Sequence, residues 1–170
     1  MRIDPKPNPR RGLLTGGVGG LIACFAMSQF HSFFQNVESP SGEDKQEDST
    51  VKTASAISQR IFHHELTPQQ KKIAGPAVHY GFGASIATLY GAAVEVLPVL
   101  RIGWGMPFGV AVWLGAHVIT VPALGLSEPV IRSTPRREAV EFGAHLVYGA
   151  VVEGIRRLLR NTAWSIGRRS

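Results

Sequence analysis

A single cysteine, Cys24, stands in 170 residues. One thiol excludes an intramolecular disulfide and any zinc site built from several cysteines. No His-Glu-x-x-His or His-x-x-x-His pair occurs, so the helical spacings that mark a zinc hydrolase or a two-histidine metal face are missing. The Gly-Gly-Val-Gly-Gly run at 16–20 has neither the preceding strand nor the Lys-Ser/Thr ending of a P-loop. No nucleophile–base signature is present, and Ser28 or Ser85 within a helix ordinarily bonds its own backbone. The expectation is a protein that is not an enzyme, and no motif calls for a cofactor.

Charge is also scarce over long stretches. Between Gly12 and Val37 no residue carries a formal charge, His31 apart. The mean hydropathy of +0.06 reads as soluble, but it averages apolar blocks with charged ends. The net charge is +6, yet the basic excess forms no patch suited to nucleic acid. It sits at the ends: Arg2, Lys6, Arg10 and Arg11 before the first block, and Arg156, Arg157, Arg160, Arg168 and Arg169 near the other terminus. Juxtamembrane anchors are distributed in this way, so the expected partner is a lipid bilayer.

Residues 74–126 hold two apolar halves joined across Arg101. Each half has about 20–25 residues, the length that crosses a hydrocarbon core as helix. Within them His79, Glu95 and His117 are the groups able to carry charge. Such groups inside a span are costly and are functional candidates by default. Residues 12–35 form an earlier apolar block, with Gly12, Gly16 and Gly20 at the spacing that lets helices approach closely in lipid. These glycines favour association within one chain or between copies, as a homo-oligomer. Two other readings of this block are a signal peptide and a lipobox, Leu21-Ile22-Ala23-Cys24. The apolar character continues past Cys24 through Met27, Phe30, Phe33 and Phe34, which favours a retained span.

The expected architecture is all-α: a membrane-embedded bundle of four transmembrane helices. Residues 1–11 are a basic flexible tail, 12–35 the first span, and 36–66 a polar loop. That loop ends in an amphipathic surface helix carrying Ala54, Ile57 and Ile61. Residues 67–160 hold spans two to four, and 161–170 form a basic tail. Thr67-Pro68-Gln69-Gln70 and Thr134-Pro135 are helix starts, and kinks are expected at Gly75-Pro76 and Pro122. Ser127–Ser133 is a short loop. Trp104 and Trp164 are interfacial anchors, while Trp113 packs near His117. An even number of spans puts both termini on one side, and the basic ends place that side in the cytoplasm.

With the spans placed, a family pattern emerges. His79-Tyr80-Gly81-Phe82-Gly83, Leu89-Tyr90-Gly91 and Glu95 are followed by Gly109 to Trp113, His117, Pro122 and Gly125-Leu126-Ser127. His145-Leu146-Val147-Tyr148-Gly149 completes it. Together they resemble the YagU-like family of bacterial inner-membrane proteins, over about residues 12–160. The resemblance implies a multi-span inner-membrane protein and no established activity.

Antiparallel threading brings His31, His79, His117 and His145 towards one membrane face, at roughly 5–13 Å depth from a rise of 1.5 Å per residue. With the termini inside, that face is periplasmic. Glu141 precedes His145 by one turn, which suits a carboxylate–imidazole hydrogen bond. These five residues are the candidate site. Glu95, Glu153 and Arg157 are secondary polar candidates near the opposite face, Glu153 lying one turn before Arg157. The histidine layer has three readings: interhelical packing by hydrogen bonds in a structural membrane component, a proton-responsive or acid-stress element of the envelope, or a ligand set for metal, haem or a small carried solute.

Overall fold

The computed structural model describes residues 7–38, 49–126 and 133–166. The outer parts of both tails, the middle of the polar loop, residues 127–132 and the Trp164 side chain lie outside the described set. The described chain is all-helical. Helix α1 spans Pro9–Glu38, α2 Ser49–Phe62 and α3 Pro68–Val96. A 3₁₀ connection, Pro98–Gly105, leads into a rod formed by α4 (Met106–Val112), a π-helical stretch (Trp113–Thr120) and α5 (Val121–Ala123). Helix α6, Pro135–Ile166, closes the chain.

Several boundaries differ from the sequence expectation. Helix α1 starts inside the stretch read as a flexible tail. The Asn8 side chain caps it by accepting from the Arg11 amide at 3.1 Å, and Pro9 sits at the first position, where it needs no donor. Helix α2 begins five residues earlier than the amphipathic spacing suggested. Helix α6 runs to Ile166, beyond the expected end at 160. The start of α3 is as the residues dictate: Thr67 and Gln70 form a reciprocal capping box before Pro68. That helix runs unbroken through Pro76.

The Pro122 region departs from the α form over two turns. Proline offers no N–H to the preceding turn. The helix widens ahead of it, with the Val121 amide bonding the Ala116 carbonyl and the Thr120 hydroxyl donating to the Gly115 carbonyl at 2.6 Å. The connection before α4 turns sharply through positive φ at Gly103, Trp104 and Gly105. Gly105 is constrained twice over, because a Cβ there would also run into the Gly149 carbonyl.

Helix α1 packs on α3 and α6, α4 packs on α6, and α2 lies on α3. Small residues permit the closest approach. A Cβ at Gly12 would fall on the Gly91 carbonyl and one at Gly16 on the Ala87 carbonyl, while Gly20 abuts Ala84 and Ala87. The small-residue stripe of α1 therefore faces α3. The core is narrow: Ala23, Cys24, Met27, Ala87, Tyr90, Val94, Ala144, Tyr148 and Val152. Tyr90 stacks on Phe108 with ring centres 4.1 Å apart.

The polar and apolar surfaces are distributed against the soluble pattern. Glu95, Glu153, Arg156 and His145 are buried, while Leu14, Leu21, Phe25, Phe82, Leu89, Ile119 and Leu158 face outward. Two helical stretches, Pro9–Phe34 and Pro98–Ala123, are long and apolar enough to cross a membrane. The second is scarcely buried within the chain.

Candidate functional site

The helix directions put two polar sites at opposite ends of the bundle. At the end holding the N-terminus of α1, the Asn8 amide donates to Glu95 Oε2 at 3.1 Å. Glu95 also receives Arg156 at 3.5 Å and Arg160. Glu153 receives Arg156 Nε at 2.7 Å, Arg156 Nη2 at 2.8 Å and Arg157 Nε at 2.6 Å. The Tyr90 hydroxyl lies 3.2 Å from Glu153 Oε2 and 3.1 Å from the Leu100 carbonyl. Arg157 also donates to the Arg101 carbonyl at 2.9 Å and lies over the Trp104 ring at 4.5 Å. Buried charges persist only when paired and hydrogen-bonded, and this cluster binds α1, α3, the 3₁₀ connection and α6 at one level. Sequence reasoning placed Glu95, Glu153 and Arg157 near this face but missed Arg156, the most deeply buried cation. The available signal was that Glu153 has an arginine at both i+3 and i+4.

At the other end a cavity of about 590 Å³ opens between the helices. His31 from α1, His79 from α3, His117 from the π-helical stretch and His145 from α6 all line it, together with Glu141. Ser49, Thr50 and Thr53 of α2 lie along its edge. The four candidate imidazoles are thus brought to one space by four separate elements.

Their individual contacts fall into two kinds. Two imidazoles meet carboxylates on α6: His31 Nε2 is 3.2 Å from Glu141 Oε2, and His117 Nε2 is 3.1 Å from Glu138 Oε2. The other two engage backbone. His145 Nδ1 lies 2.8 Å from the Glu141 carbonyl oxygen, and His79 Nε2 lies 3.5 Å from the Cys24 carbonyl oxygen. This corrects the expected side-chain bond between Glu141 and His145. The imidazole folds back on the preceding turn of its own helix, and the Glu141 carboxylate crosses to α1. Glu138 is the partner that sequence reasoning missed, because the helix facing it could not be known from spacing alone.

The rings are close without forming a metal centre. His117 and His145 have ring centres 6.1 Å apart, and Trp113 stacks against His117 at 6.4 Å. Among the described residues, no three His, Cys, Asp or Glu side chains converge on a point that could hold a metal ion. Cys24 is buried between α1 and α3, where its thiol donates to the His79 carbonyl at 3.7 Å. The Tyr148 hydroxyl donates to the Gly83 carbonyl at 2.6 Å. The cavity polar groups are therefore largely engaged with the protein itself.

The family described as protein of unknown function (DUF1440) matches residues 47–154. Inner membrane protein YagU of Escherichia coli (strain K12) is 32% identical over 83 residues, which cover 49% of this chain and 41% of that protein. The match thus spans less than half the length of that curated relative. No solved structure matches. His79, His117 and His145, with Glu138 and Glu141, lie inside the family-matched region and His31 outside it, and by that match the chain belongs to the DUF1440 family, a YagU-like group of unknown function.

Proposed function

We propose that this is a multi-pass inner-membrane protein, a bundle of four crossing helices with both termini in the cytoplasm, whose histidine-lined cavity responds to acid on the periplasmic side. The outward-facing Leu, Ile and Phe side chains and the inward charges support the membrane placement, as does the printed name of the Escherichia coli relative. Helices α3 and α6 supply the other two crossings. Their 29 and 32 residues extend about 43 and 48 Å at 1.5 Å per residue, more than the roughly 30 Å of a hydrocarbon core. Glu95, Glu153, Arg156, Arg157 and Arg160 are held in ion pairs at one end, and Glu141 lies against the cavity at the other.

One observation carries the proton-responsive reading: imidazoles from four elements line a single cavity beside Glu141, with Glu138 behind His117. Histidine takes up protons near neutrality. Glu141 and Glu138 stand where they offset a charge taken up by His31 and His117. Further protonation has no carboxylate to spare. A charge on His145 faces a charged His117 across 6.1 Å, and at an effective dielectric of about 20 that repulsion is about 3 kcal/mol. His79, Cys24 and Tyr148, the other titratable groups lining the cavity, supply no negative charge at acid pH. The repulsion acts between α6 and the rod at its π-helical stretch, where the hydrogen-bond ladder is already altered. Acid thus separates the rod from α6 and widens the cavity.

Trp113 reports this directly, because a protonated imidazole quenches a stacked indole. With Trp104→Phe and Trp164→Phe, its fluorescence should titrate between about pH 5 and 8 and lose the transition in His117→Gln. A flat titration, or one that persists when His79, His117 and His145 are all alanine, overturns the reading.

A further inference from the structure

The cavity has an apolar wall, and several of the polar side chains that line it are engaged with the protein. Met27, Phe82, Ile86, Phe108, Val112 and Val121 line it. Its volume, about 590 Å³, falls within the roughly 300–1,000 Å³ of small-molecule sites. Phe82 and Gly115 both line it and both lie exposed on the outer surface, on α3 and on the rod respectively. The opening therefore faces sideways, towards lipid if the chain spans a bilayer.

Thr53 donates to the Ser49 carbonyl at 2.7 Å, Thr120 to the Gly115 carbonyl, Tyr148 to the Gly83 carbonyl and Cys24 to the His79 carbonyl. Glu141 and Glu138 face His31 and His117. A ring nitrogen beside a carbonyl oxygen must carry the proton, since the carbonyl can only accept. His145 Nδ1 and His79 Nε2 are therefore the protonated nitrogens of their neutral rings. The opposite nitrogens, His145 Nε2 and His79 Nδ1, keep a lone pair each, with no protein donor against them among the described residues. In their neutral forms His145 and His79 thus offer this apolar pocket two hydrogen-bond acceptors.

We infer that the cavity binds a hydrophobic molecule bearing a hydroxyl donor, of the phenol class, entering from the bilayer between α3 and the rod. The hydroxyl donates to His145 or His79 and the ring system rests on the apolar wall. A carboxylate ligand is disfavoured, because it would bring no donor to the lone pairs and would sit beside Glu141. This inference rests on the membrane placement proposed above and shares its cavity, but it requires no change of charge.

The probe is 1-naphthol, followed by its own fluorescence at pH 7.5 with the full chain in lipid nanodiscs. Empty nanodiscs correct for partition. Saturable one-to-one binding is expected. The methyl ether, 1-methoxynaphthalene, should bind about tenfold more weakly, the loss that follows from one missing hydrogen bond to a buried acceptor. 1-Naphthoate should bind more weakly still. Gly115→Leu should abolish saturable binding, because Gly115 lines the cavity and open space beside it leaves room for a bulky side chain at the opening. His79→Ala with His145→Ala should erase the difference between naphthol and its ether. No saturable binding above empty nanodiscs, equal affinity for naphthol and ether, preference for naphthoate, or normal binding by Gly115→Leu each overturns the inference. The Trp113 pH titration on the same samples without probe separates the two readings. An intact transition without naphthol binding refutes the ligand alone, and naphthol binding with a flat titration refutes the proton response alone.

Discussion

Replacing Glu153 by glutamine tests the buried charge cluster most severely. The Glu153 side chain is fully buried and its oxygens receive three guanidinium nitrogens, from Arg156 and Arg157, at 2.6 to 2.8 Å. Arg156 is 1% exposed, and its other anionic contact among the described residues is Glu95 at 3.5 Å. Glutamine preserves shape and one acceptor oxygen but removes the charge and turns an amide NH₂ towards a guanidinium. Removing one member of a buried pair costs about 3–5 kcal/mol, because the remaining charge stays buried without compensation. Glu95 offsets part of this, so about 3 kcal/mol is expected here. At about 2–4 °C per kcal/mol for a chain of this size, the thermal midpoint in nanodiscs should fall by about 6–12 °C. Adding Arg156→Met removes the stranded cation and should restore at least half of the loss, since deleting both partners is often close to neutral. A Glu153→Gln protein that melts with the parent, or a double variant less stable than the single one, refutes this account of the cluster.

Two further outcomes follow from local geometry. Gly16→Ala should destabilise by about 1–3 kcal/mol, because its Cβ would meet the Ala87 carbonyl and push α1 from α3. Gly154→Ala, with open space around the new carbon, should be neutral or gain up to about 1 kcal/mol of helix propensity; similar melting shifts for both would contradict the α1–α3 packing. Thr67→Ala removes the capping box of α3 and should cost about 1 kcal/mol, read as faster amide exchange at Gln70 and unchanged exchange in α6.

The gathering of the four histidines around one cavity was legible in the sequence in outline, because it follows from chain reversal alone. Any even threading of these apolar blocks returns residues 31, 79, 117 and 145 to one end. The helix starts at Thr67 and Thr134 were legible because capping is local. Contacts between helices were not. Glu138 and Glu141 share a face with His145, but whether a carboxylate points along its own helix or across to a neighbour depends on rotation about the helix axis. Here Glu141 crosses to His31, Glu138 to His117, and His145 turns back to its own backbone. The π-helical stretch was invisible for a different reason. Pro122 signals a disturbed ladder, but kinking and widening both relieve it, and the sequence does not distinguish them. Arg156 was overlooked because a cation in an apolar helix reads as a surface residue until the helix face opposite it is known.

The proposed response is that acid separates the rod from α6 through charge gathered on the cavity imidazoles. The lone Cys24, replaced by alanine, leaves a background for two spin labels, at Ile119→Cys on the rod end and Ala139→Cys on α6, both exposed positions. Electron–electron distance measurement in nanodiscs should give a longer separation at pH 5 than at pH 8, and no difference when His117 and His145 are alanine. Superimposable distributions at the two pH values, or the same lengthening without those two histidines, would contradict it.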